Sequence, residues 1–533
     1  MLTHTRSIKD RGFKVWRSPG RFTKNPDMVQ LPSGRLMLVY ADDDAHWAQE
    51  SEVLTLVASD DLGTSWYKFG EVARAVQPQD ERLVTPRLSC LSDGRLVVLC
   101  DHDDFEHFHE EQASGNWAWW SEDGGTTWSD HQVTGIEGFE PDRVVELPDG
   151  TLGVASHLML SATQCHGDIL SVSEDGGKTW KRRSIIASDS YHFFCEGGIV
   201  LLGGNRLACV LRENHSAGIP SFVAFSEDCG HTWSEPQMCP FSLHRPYAKQ
   251  LADGRVLVTG RNVNGGLGTY AWCGNLEEEA GRWVVGGPRR KYAAELTPEA
   301  LVIANKPEHE CRYVLLPPES SQSKVLFEAE LRVEGPQGEP VAFMSVSTHE
   351  WGGGPLVLSI APDWVGFSSK RPDKKKPVDM TKKRTVTIRH RRGLVEILVD
   401  GKVLMCGRSK RHLPIPSDFW WYLPSKRTQF GQISESGQSW WSRICYEVKN
   451  ISLPDISWSW DSADGRWPDQ YQRERMIQIH ANHPDQKPWP DCGYSSWVVL
   501  EDGRIMFVDY TNCGEEPDRA HIVGAYIEPA DIG

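Results

Sequence analysis

The chain has 533 residues, of which 39% are hydrophobic and 24% charged, a globular composition with enough apolar residues for more than one core. Its formal net charge of −16 makes nucleic acid and membrane surfaces unfavourable partners, because both are polyanionic. No apolar run is long enough to span a bilayer, and the first residues lack the apolar segment of a secretory signal, so we expect a cytoplasmic protein.

A short turn motif recurs along the chain, each copy lying between two apolar runs, which is the signal of a β-hairpin. The copies are LPSGRL (31–36), LSDGRL (91–96), LPDGTL (147–152), LGGNRL (202–207), LADGRV (251–256) and LEDGRI (500–505). Six copies predict six structural units. The interval between Leu251 and Leu500 holds roughly 200 residues more than one repeat, which is too many for a loop and predicts an inserted domain.

A second motif, an octet ending in Trp, alternates with the first. Its Asp can accept backbone N–H groups, its Gly tolerates positive φ, and its Trp can pack beneath the turn, so we interpret the octets as structural. They are SDDLGTSW (59–66), SEDGGTTW (121–128), SEDGGKTW (173–180) and SEDCGHTW (226–233). The two turns and four flanking strands of a unit predict one blade, so the fold class is all-β, a six-bladed β-propeller.

The insertion contains the strand-like runs VLFEAELRV (325–333), RTVTIRH (384–390) and VEILVDGKVLM (395–405). We predict an inserted β-sandwich between blades five and six, similar to concanavalin-like or laminin-G-like lectins. The predicted domains are residues 1–289 for blades one to five, 290–480 for the sandwich and 481–533 for blade six. A segment containing Phe13, Val15 and Trp16 is expected to add an outer strand to the last blade and close the ring.

Four octets on six predicted blades resemble the sialidase superfamily of BNR-repeat, or Asp-box, propellers. In blade six, GYSSWVVLEDGRI (493–505) is similar to the sialidase segment that carries the tyrosine nucleophile, which implies Tyr494. In blade four, CEGGIVLLGGNRLACVLRE offers Glu196 and Arg212, and in blade five VTGRNVNGG offers Arg261. The resemblance implies that the glutamate activates the tyrosine and that the arginines bind the carboxylate of an acidic sugar.

This division of roles is also chemically reasonable. A neutral phenol avoids the repulsion that a carboxylate nucleophile would meet beside the carboxylate of a sialic acid. With an ordinary pKa of about 10, however, the phenol needs a base. A tyrosine nucleophile is a known exception to the two-carboxylate scheme of retaining glycosidases.

The acid that protonates the leaving oxygen is expected just after the second strand of blade one, in YADDDAHW. The candidates are Asp42, Asp43 and Asp44, of which we prefer Asp43. The alternative is that this stretch is only a hydrophilic loop.

The first blade departs from the sialidase pattern. Sialidases have Arg-Ile-Pro at the start of this blade, whereas the chain has Lys24 followed by Asn25 and Pro26. Lysine lacks the guanidinium fork, so a different acidic or a neutral sugar is also possible. Arg245 or Arg143 could supply the missing guanidinium.

Further polar residues near the predicted strand starts and ends extend the candidate binding set. Arg87 lies near the start of blade two and is a substrate-binding candidate, as is His102 in DHDDFEHFHEE (101–111). The alternative for the arginines is structural ion pairing, and for the histidine run a solvated loop or a metal-binding loop without known ligand spacing. His157 is either a channel residue or a buried histidine.

Three functions remain open at this level. The leading hypothesis is an exo-acting retaining glycoside hydrolase that releases a terminal, acidic sugar from a glycan. The alternatives are a propeller lyase acting on a uronic-acid glycan and a non-catalytic glycan-binding protein. Thirteen scattered cysteines fit reduced thiols, and we predict no metal and no cofactor. The sugar, its linkage and the oligomeric state stay open.

Overall fold

The structure is a computed structural model. It describes residues 6–48, 50–75, 82–103, 115–215, 218–288, 292–307, 309–348, 356–367, 375–391, 393–408, 427–432, 434–482, 491–513 and 519–533. Within these ranges α-helix is confined to Leu276–Glu279 and Gln470–Arg475, and most of the remainder is β-strand, as predicted. None of the described helices has the length and apolar character needed to cross a bilayer.

Six antiparallel sheets form the repeating part of the fold. From the inner to the outer strand, blade one contains Phe22–Gln30, Leu36–Asp43, Glu52–Ser59 and Tyr67–Ala75, and blade two contains Arg82–Cys90, Leu96–Asp103, Gly115–Ser121 and Gln132–Val133. Blade three contains Val145–Glu146, Leu152–Leu160, Cys165–Ser173 and Lys181–Ser188, and blade four contains Phe194–Leu201, Leu207–Glu213, Phe222–Ser226 and Gln237–Met238. Blade five contains Leu243–Gln250, Val256–Asn262, Gly268–Gly274 and Met476–Ala481, and blade six contains Ser496–Val499, Ile505–Thr511, His521–Ile527 and Phe13–Trp16.

The sheets follow one another around a ring. The first strands of neighbouring blades contact each other, for example Phe22–Gln30 with Arg82–Cys90, and Phe194–Leu201 with Leu243–Gln250. The segment Phe13–Trp16 pairs with His521–Ile527, so the amino-terminal part of the chain completes the last blade as predicted. The ring therefore closes by joining the two ends of the chain.

The insertion enters the fold at a different point from the one predicted. Strand Met476–Ala481 pairs with Gly268–Gly274 and is therefore the fourth strand of blade five, with Arg6–Ser7 pairing parallel on its outer side. The inserted sheets thus lie between the third and fourth strands of blade five, not between blades five and six, and the predicted boundary at residue 480 falls inside this strand. The sequence hid this arrangement because the returning strand carries neither an octet nor a glycine turn.

The inserted part consists of two further sheets. One contains Ala294–Leu296, Leu301–Ile303, Lys324–Glu334, Arg384–Arg391, Leu394–Val399, Lys402–Arg408, Gln438–Lys449 and Ile456–Asp461. The other contains Cys311–Leu315, Ala342–Val346, Leu356–Ile360, Trp364–Gly366, Lys375–Pro377 and Thr428–Gln432. Apolar side chains of both sheets share one buried core, as in a sandwich.

The insertion also touches the loop that follows the second strand of blade five. The Arg427 Nη1 atom donates hydrogen bonds to the Val263 carbonyl oxygen at 2.7 Å and to Asn264 Oδ1 at 2.6 Å. This loop begins directly after Asn262, so the insertion contacts the segment next to Arg261.

The octets form the expected turns. In the third octet the Thr179 backbone N–H donates to Asp175 Oδ1 at 2.9 Å, and Gly177 has a φ of +97°. The Trp180 Nε1 atom donates to the Gly177 carbonyl oxygen at 3.2 Å. The octets are therefore structural motifs that hold the third and fourth strands of a blade together.

Candidate active site

Each blade has a residue in the left-handed region of backbone conformation within its inner strand or a few residues before it. For four of the six blades this residue lies at a β-bulge, where one residue is left out of the strand pairing. The residues are Asn25, Thr85, Glu140, Glu196, Arg245 and Gly493. Non-glycine residues adopt this conformation at a cost of about 1–3 kcal/mol, and they concentrate at functional sites. The mouth of the ring, where the inner strands begin, is therefore the candidate active site.

Tyr494 lies at the centre of this mouth. Its hydroxyl is 3.1 Å from Glu196 Oε1 and 3.1 Å from Glu140 Oε1, and it can donate its proton to either carboxyl group. The Arg245 guanidinium lies over the Tyr494 ring, 5.4 Å from its centroid. Side chains from blades three, four and five thus converge on one phenol from blade six.

The two glutamates differ in protonation because their neighbours differ. Burial alone would raise the pKa of Glu196, but the Arg212 and Arg245 guanidinium groups outweigh it and hold that pKa well below its usual range. Burial and the negative charge of Glu196 raise the pKa of Glu140 well above its usual range. At neutral pH Glu196 is therefore ionised, and Glu140 keeps its proton.

The phenol is held in its neutral form. Burial and the nearby carboxyl groups of Glu140 and Glu196 raise the pKa of Tyr494 well above its ordinary value. A phenol in this state reacts as a nucleophile only if a base takes its proton during the attack. Glu196 is ionised and within hydrogen-bonding distance, so it meets both requirements for that base.

Three predicted arginines surround this cluster. Arg212 Nη1 lies 2.6 Å from Glu196 Oε1, and its Nη2 donates to Asn214 Oδ1 at 2.8 Å. Arg245 donates to the carbonyl oxygens of Glu140 and Pro141 at 2.9 and 3.0 Å. Half-buried Arg261 lies against Gly493, where an added Cβ would come within 2.3 Å of the Arg261 Cβ. A side chain at position 493 is thus excluded by Arg261.

The remaining predicted arginines occupy the inside of the ring. Arg143 Nη2 donates to the carbonyl oxygens of Ile199 and Ala248 at 3.2 and 2.7 Å, and thereby links three blades. Arg87 is 3% exposed, and burial and the charge of Arg245 lower its pKa. Both arginines are buried among the inner strands, and their role in substrate binding stays a prediction.

Lys24 and Asp43 form a buried pair. Lys24 Nζ lies 2.7 Å from Asp43 Oδ2, and the two side chains are 5% and 0% exposed. This pair is about as buried as Arg212 and Glu196, so Asp43 as the acid and Lys24 as a substrate-binding residue stay predictions. Asp42 also has partners, because its carboxylate accepts hydrogen bonds from Ser18 and Arg21.

The predicted histidine site is only partly described. His102 stacks on Trp117, with the ring centroids 3.7 Å apart, and so packs against the next strand of blade two. His107 and His109 of the same run lie outside the described residues. Among the described residues, no group of three or more potential ligands suits a metal ion.

Sequence reasoning missed Glu140 as a member of the site. In four blades the residue in the left-handed conformation is followed by proline, as Asn25-Pro26, Thr85-Pro86, Glu140-Pro141 and Arg245-Pro246. Aligning these dipeptides with the corresponding positions of the other blades would have shown that Glu140 in blade three is the counterpart of Glu196 in blade four. The signal was available but weak, because blades four and six lack the proline.

Residues 105–264 match a family described as a BNR repeat-like domain. This match confirms the predicted resemblance to the BNR-repeat proteins of the sialidase superfamily. No curated protein sequence matches the chain.

The fold is similar to that of several solved proteins. A protein of unknown function from Dyadobacter fermentans is 18% identical, with a TM-score of 0.44, over 59% of this chain and 96% of that one. The Hadza microbial sialidase Hz136 is 16% identical, with a TM-score of 0.40, over 49% and 58%. The α-L-arabinanase of Penicillium chrysogenum, complexed with arabinobiose, is 15% identical, with a TM-score of 0.41, over 56% and 93%. At these values the similarity does not extend to substrates or to individual residues.

Proposed function

We propose that this protein is a retaining glycoside hydrolase that removes a terminal, acidic sugar from a glycan. Tyr494 is the nucleophile and Glu196 is its base. The observation that carries the proposal is the hydrogen bond from the Tyr494 hydroxyl to Glu196 Oε1, a carboxylate that Arg212 keeps ionised.

In the first step the Tyr494 oxygen attacks the anomeric carbon while its proton passes to Glu196. Glu140 keeps its own proton, so the two carboxyl groups together carry one negative charge, which Arg212 balances. Water then releases the sugar from the tyrosine, so the anomeric configuration is retained.

The charges at the mouth favour an anionic sugar. Arg245 lies over the Tyr494 ring, Arg261 lies against Gly493, which precedes Tyr494, and Glu196 is already paired with Arg212. Guanidinium groups bind carboxylates in a bidentate manner. A neutral nucleophile avoids repulsion from the substrate carboxylate.

The test is turnover of 4-methylumbelliferyl glycosides of N-acetylneuraminic acid, D-glucuronic acid, D-galactose and L-arabinose. On the glycoside that the wild type cleaves best, we expect Tyr494→Phe and Glu196→Gln each to lower kcat by about a thousandfold. The control is Tyr526→Phe in the same blade, whose hydroxyl donates to the Leu62 carbonyl oxygen. Unchanged turnover by Tyr494→Phe would contradict the mechanism. Equal glycan binding without turnover by the wild type and the double variant would indicate a binding protein.

A lyase acting on a uronic-acid glycan is the second candidate, and His157 is the observation that favours it. Its Nδ1 accepts the Glu196 backbone N–H at 3.3 Å, and burial lowers its pKa to about 3, so the ring is neutral. Because Nδ1 accepts this hydrogen bond, the neutral ring carries its proton on Nε2, which suits hydrogen bonding to the oxygen lost at C4 of a uronate while another group, such as Tyr494, removes the C5 proton. An unsaturated product absorbs in the ultraviolet, whereas hydrolysis gives no such absorbance.

A further inference from the structure

The loop after the second strand of blade one contains a histidine that is paired with a carboxylate. His46 Nδ1 lies 2.5 Å from Asp491 Oδ2, and Asp491 Oδ1 accepts a hydrogen bond from the Tyr510 hydroxyl at 2.5 Å. The His46 side chain is 48% exposed, whereas that of Asp491 is 15% exposed. A largely buried carboxylate thus fixes one ring nitrogen of an exposed imidazole and directs the other away from the pair.

Exposure distinguishes His46 from other histidines in similar pairs. His192 Nδ1 lies 2.8 Å from Asp189 Oδ2, and the His215 ring contacts Glu213, but these histidine side chains are only 5% and 8% exposed. Their rings are covered by the fold and serve packing. The ring of His46 is open to solvent and to any molecule bound at the mouth.

His46 lies beside the proposed nucleophile. Asp491 precedes Tyr494 by three residues, and the rings of Tyr510 and Tyr494 are 6.2 Å apart. Phe22 packs with both tyrosines and meets the His46 ring edge-on, with the centroids 5.9 Å apart. One aromatic cluster therefore separates the imidazole from the phenol, so the two groups flank the same part of the mouth.

The buried pair below the loop holds His46 in place. Lys24 Nζ, which is paired with Asp43, also donates a hydrogen bond to the His46 carbonyl oxygen. The residues that sequence reasoning assigned to the acid and to a substrate anchor thus support the backbone of His46. Above it lies the Trp47 ring, which is 54% exposed and meets the imidazole edge-on.

We propose that His46 is the general acid and base of the proposed glycosidase, and that Asp491 is its positioning residue. The proposal rests on the function assigned above to Tyr494 and Glu196. It places the proton donor on an exposed side chain, whereas Asp43 is buried with Lys24, and the exposed Trp47 beside it offers a surface for the ring of the leaving group.

The protons and bonds balance over two steps. As the Tyr494 oxygen bonds to the anomeric carbon, the phenol proton passes to Glu196, the glycosidic C–O bond breaks, and its electron pair stays on the leaving oxygen. That oxygen takes the Nε2 proton of the His46 imidazolium. Water then gives a proton to neutral His46 and its oxygen bonds to the anomeric carbon. The sugar–tyrosine bond breaks, and the tyrosine recovers its proton from Glu196.

Charged groups on several elements lie around His46. Asp491 faces the ring directly, and the Arg82 guanidinium lies 5.3 Å from the centroid of the Trp47 indole. Lys24 and Asp43 form a buried pair below the loop, and Arg519 Nη1 donates to the Asp44 carbonyl oxygen. The Asp491 carboxylate is the charged group in direct contact with the ring.

The test is His46→Gln on aryl glycosides of the sugar that the wild type cleaves. With 4-methylumbelliferone as leaving group we expect kcat/KM to fall about a hundredfold, and with 2,4-dinitrophenol about threefold or less, because an activated leaving group needs no proton. The control is His131→Gln, an exposed histidine that stacks on Trp117 in blade two. An equal loss on both substrates, or no loss on either, would overturn the role of His46.

A second variant, Asp491→Asn, tests whether Asp491 orients the His46 ring or only stabilises the fold. Asp491→Asn removes the carboxylate that orients the ring, so we expect kcat/KM to fall with 4-methylumbelliferone as leaving group and to change about threefold or less with 2,4-dinitrophenol. Equal effects of Asp491→Asn on the two substrates would refute the positioning role. If the wild type cleaves no glycoside, the proposed function and the role of His46 both fail. If Tyr494→Phe and Glu196→Gln lose activity but His46→Gln keeps it, only the role of His46 fails, and the roles of Tyr494 and Glu196 stand.

Discussion

Glu140 and Glu196 meet at the same phenol oxygen, yet their neighbours give them opposite protonation states. Arg212 contacts Glu196 and lowers its pKa, whereas Glu140 has a carboxylate next to it and its pKa is raised. At neutral pH the site therefore contains an ionised base, Glu196, and a protonated carboxyl group, Glu140. The ion pair between Arg212 and Glu196 is what distinguishes the two groups.

Replacing Arg212 should move the acidic limb of the pH profile. In Arg212→Met the cation that favours ionised Glu196 is lost, so the pKa of Glu196 rises and the base is protonated up to a higher pH. We expect the acidic limb of kcat/KM to shift upward and kcat/KM at neutral pH to fall by about tenfold or more.

The matched control is Arg206→Met in the same blade. Arg206 pairs with Glu227 at 3.2 Å on the outside of the ring, and its loss should leave the pH profile unchanged. An acidic limb that stays in place in Arg212→Met would show that the arginine does not set the protonation of Glu196.

At the scale of elements, the turn of the third octet contains two glycines that differ in their surroundings. Gly176 and Gly177 have φ values of +74° and +97°. A Cβ on Gly176 would meet no atom closer than 3.6 Å, whereas a Cβ on Gly177 would lie 2.3 Å from Trp120. The second glycine is therefore required for packing between neighbouring blades as well as for the turn.

Alanine at the two positions should separate these requirements. Gly176→Ala and Gly177→Ala each destabilise the fold by about 1–2 kcal/mol because φ is positive at both positions. Only Gly177→Ala adds a further overpacking cost of about 1–3 kcal/mol. We expect both to lower the melting temperature measured by circular dichroism, with the larger drop for Gly177→Ala. Equal drops would mean that the contact with Trp120 relaxes without cost.

The elements were largely predictable because their signals are local. A glycine turn between apolar runs or an Asp-to-Trp octet is contained within eight residues, so the blades could be read directly from the sequence. The fourth strand of blade five, Met476–Ala481, could not be, because it pairs with Gly268–Gly274 across the whole insertion.

The site was predictable only where a motif marked it. Tyr494, Glu196 and Arg212 lie in recognisable segments, and the structure brings them together. The burial of Asp43 with Lys24 could not be predicted because it depends on a contact between strands, and the pairing of His46 with Asp491 joins residues from opposite ends of the chain.

For the whole molecule, the proposed chemistry depends on closure of the ring. Tyr494 comes from blade six, whereas Glu140 and Glu196 come from blades three and four on the other side of the mouth. Pairing of Phe13–Trp16 with His521–Ile527 completes blade six. The phenol and its base are thus a product of the complete propeller and of no single blade.

The most direct measurement is to trap the covalent intermediate. The wild type is incubated with a fluorinated glycosyl fluoride of the sugar it cleaves, digested, and mapped by mass spectrometry. We predict one added glycosyl unit, on the peptide that contains Tyr494, and none in Tyr494→Phe. A label on Glu140 or Glu196 in the active wild type would show that a carboxylate is the nucleophile and would contradict the role assigned to Tyr494.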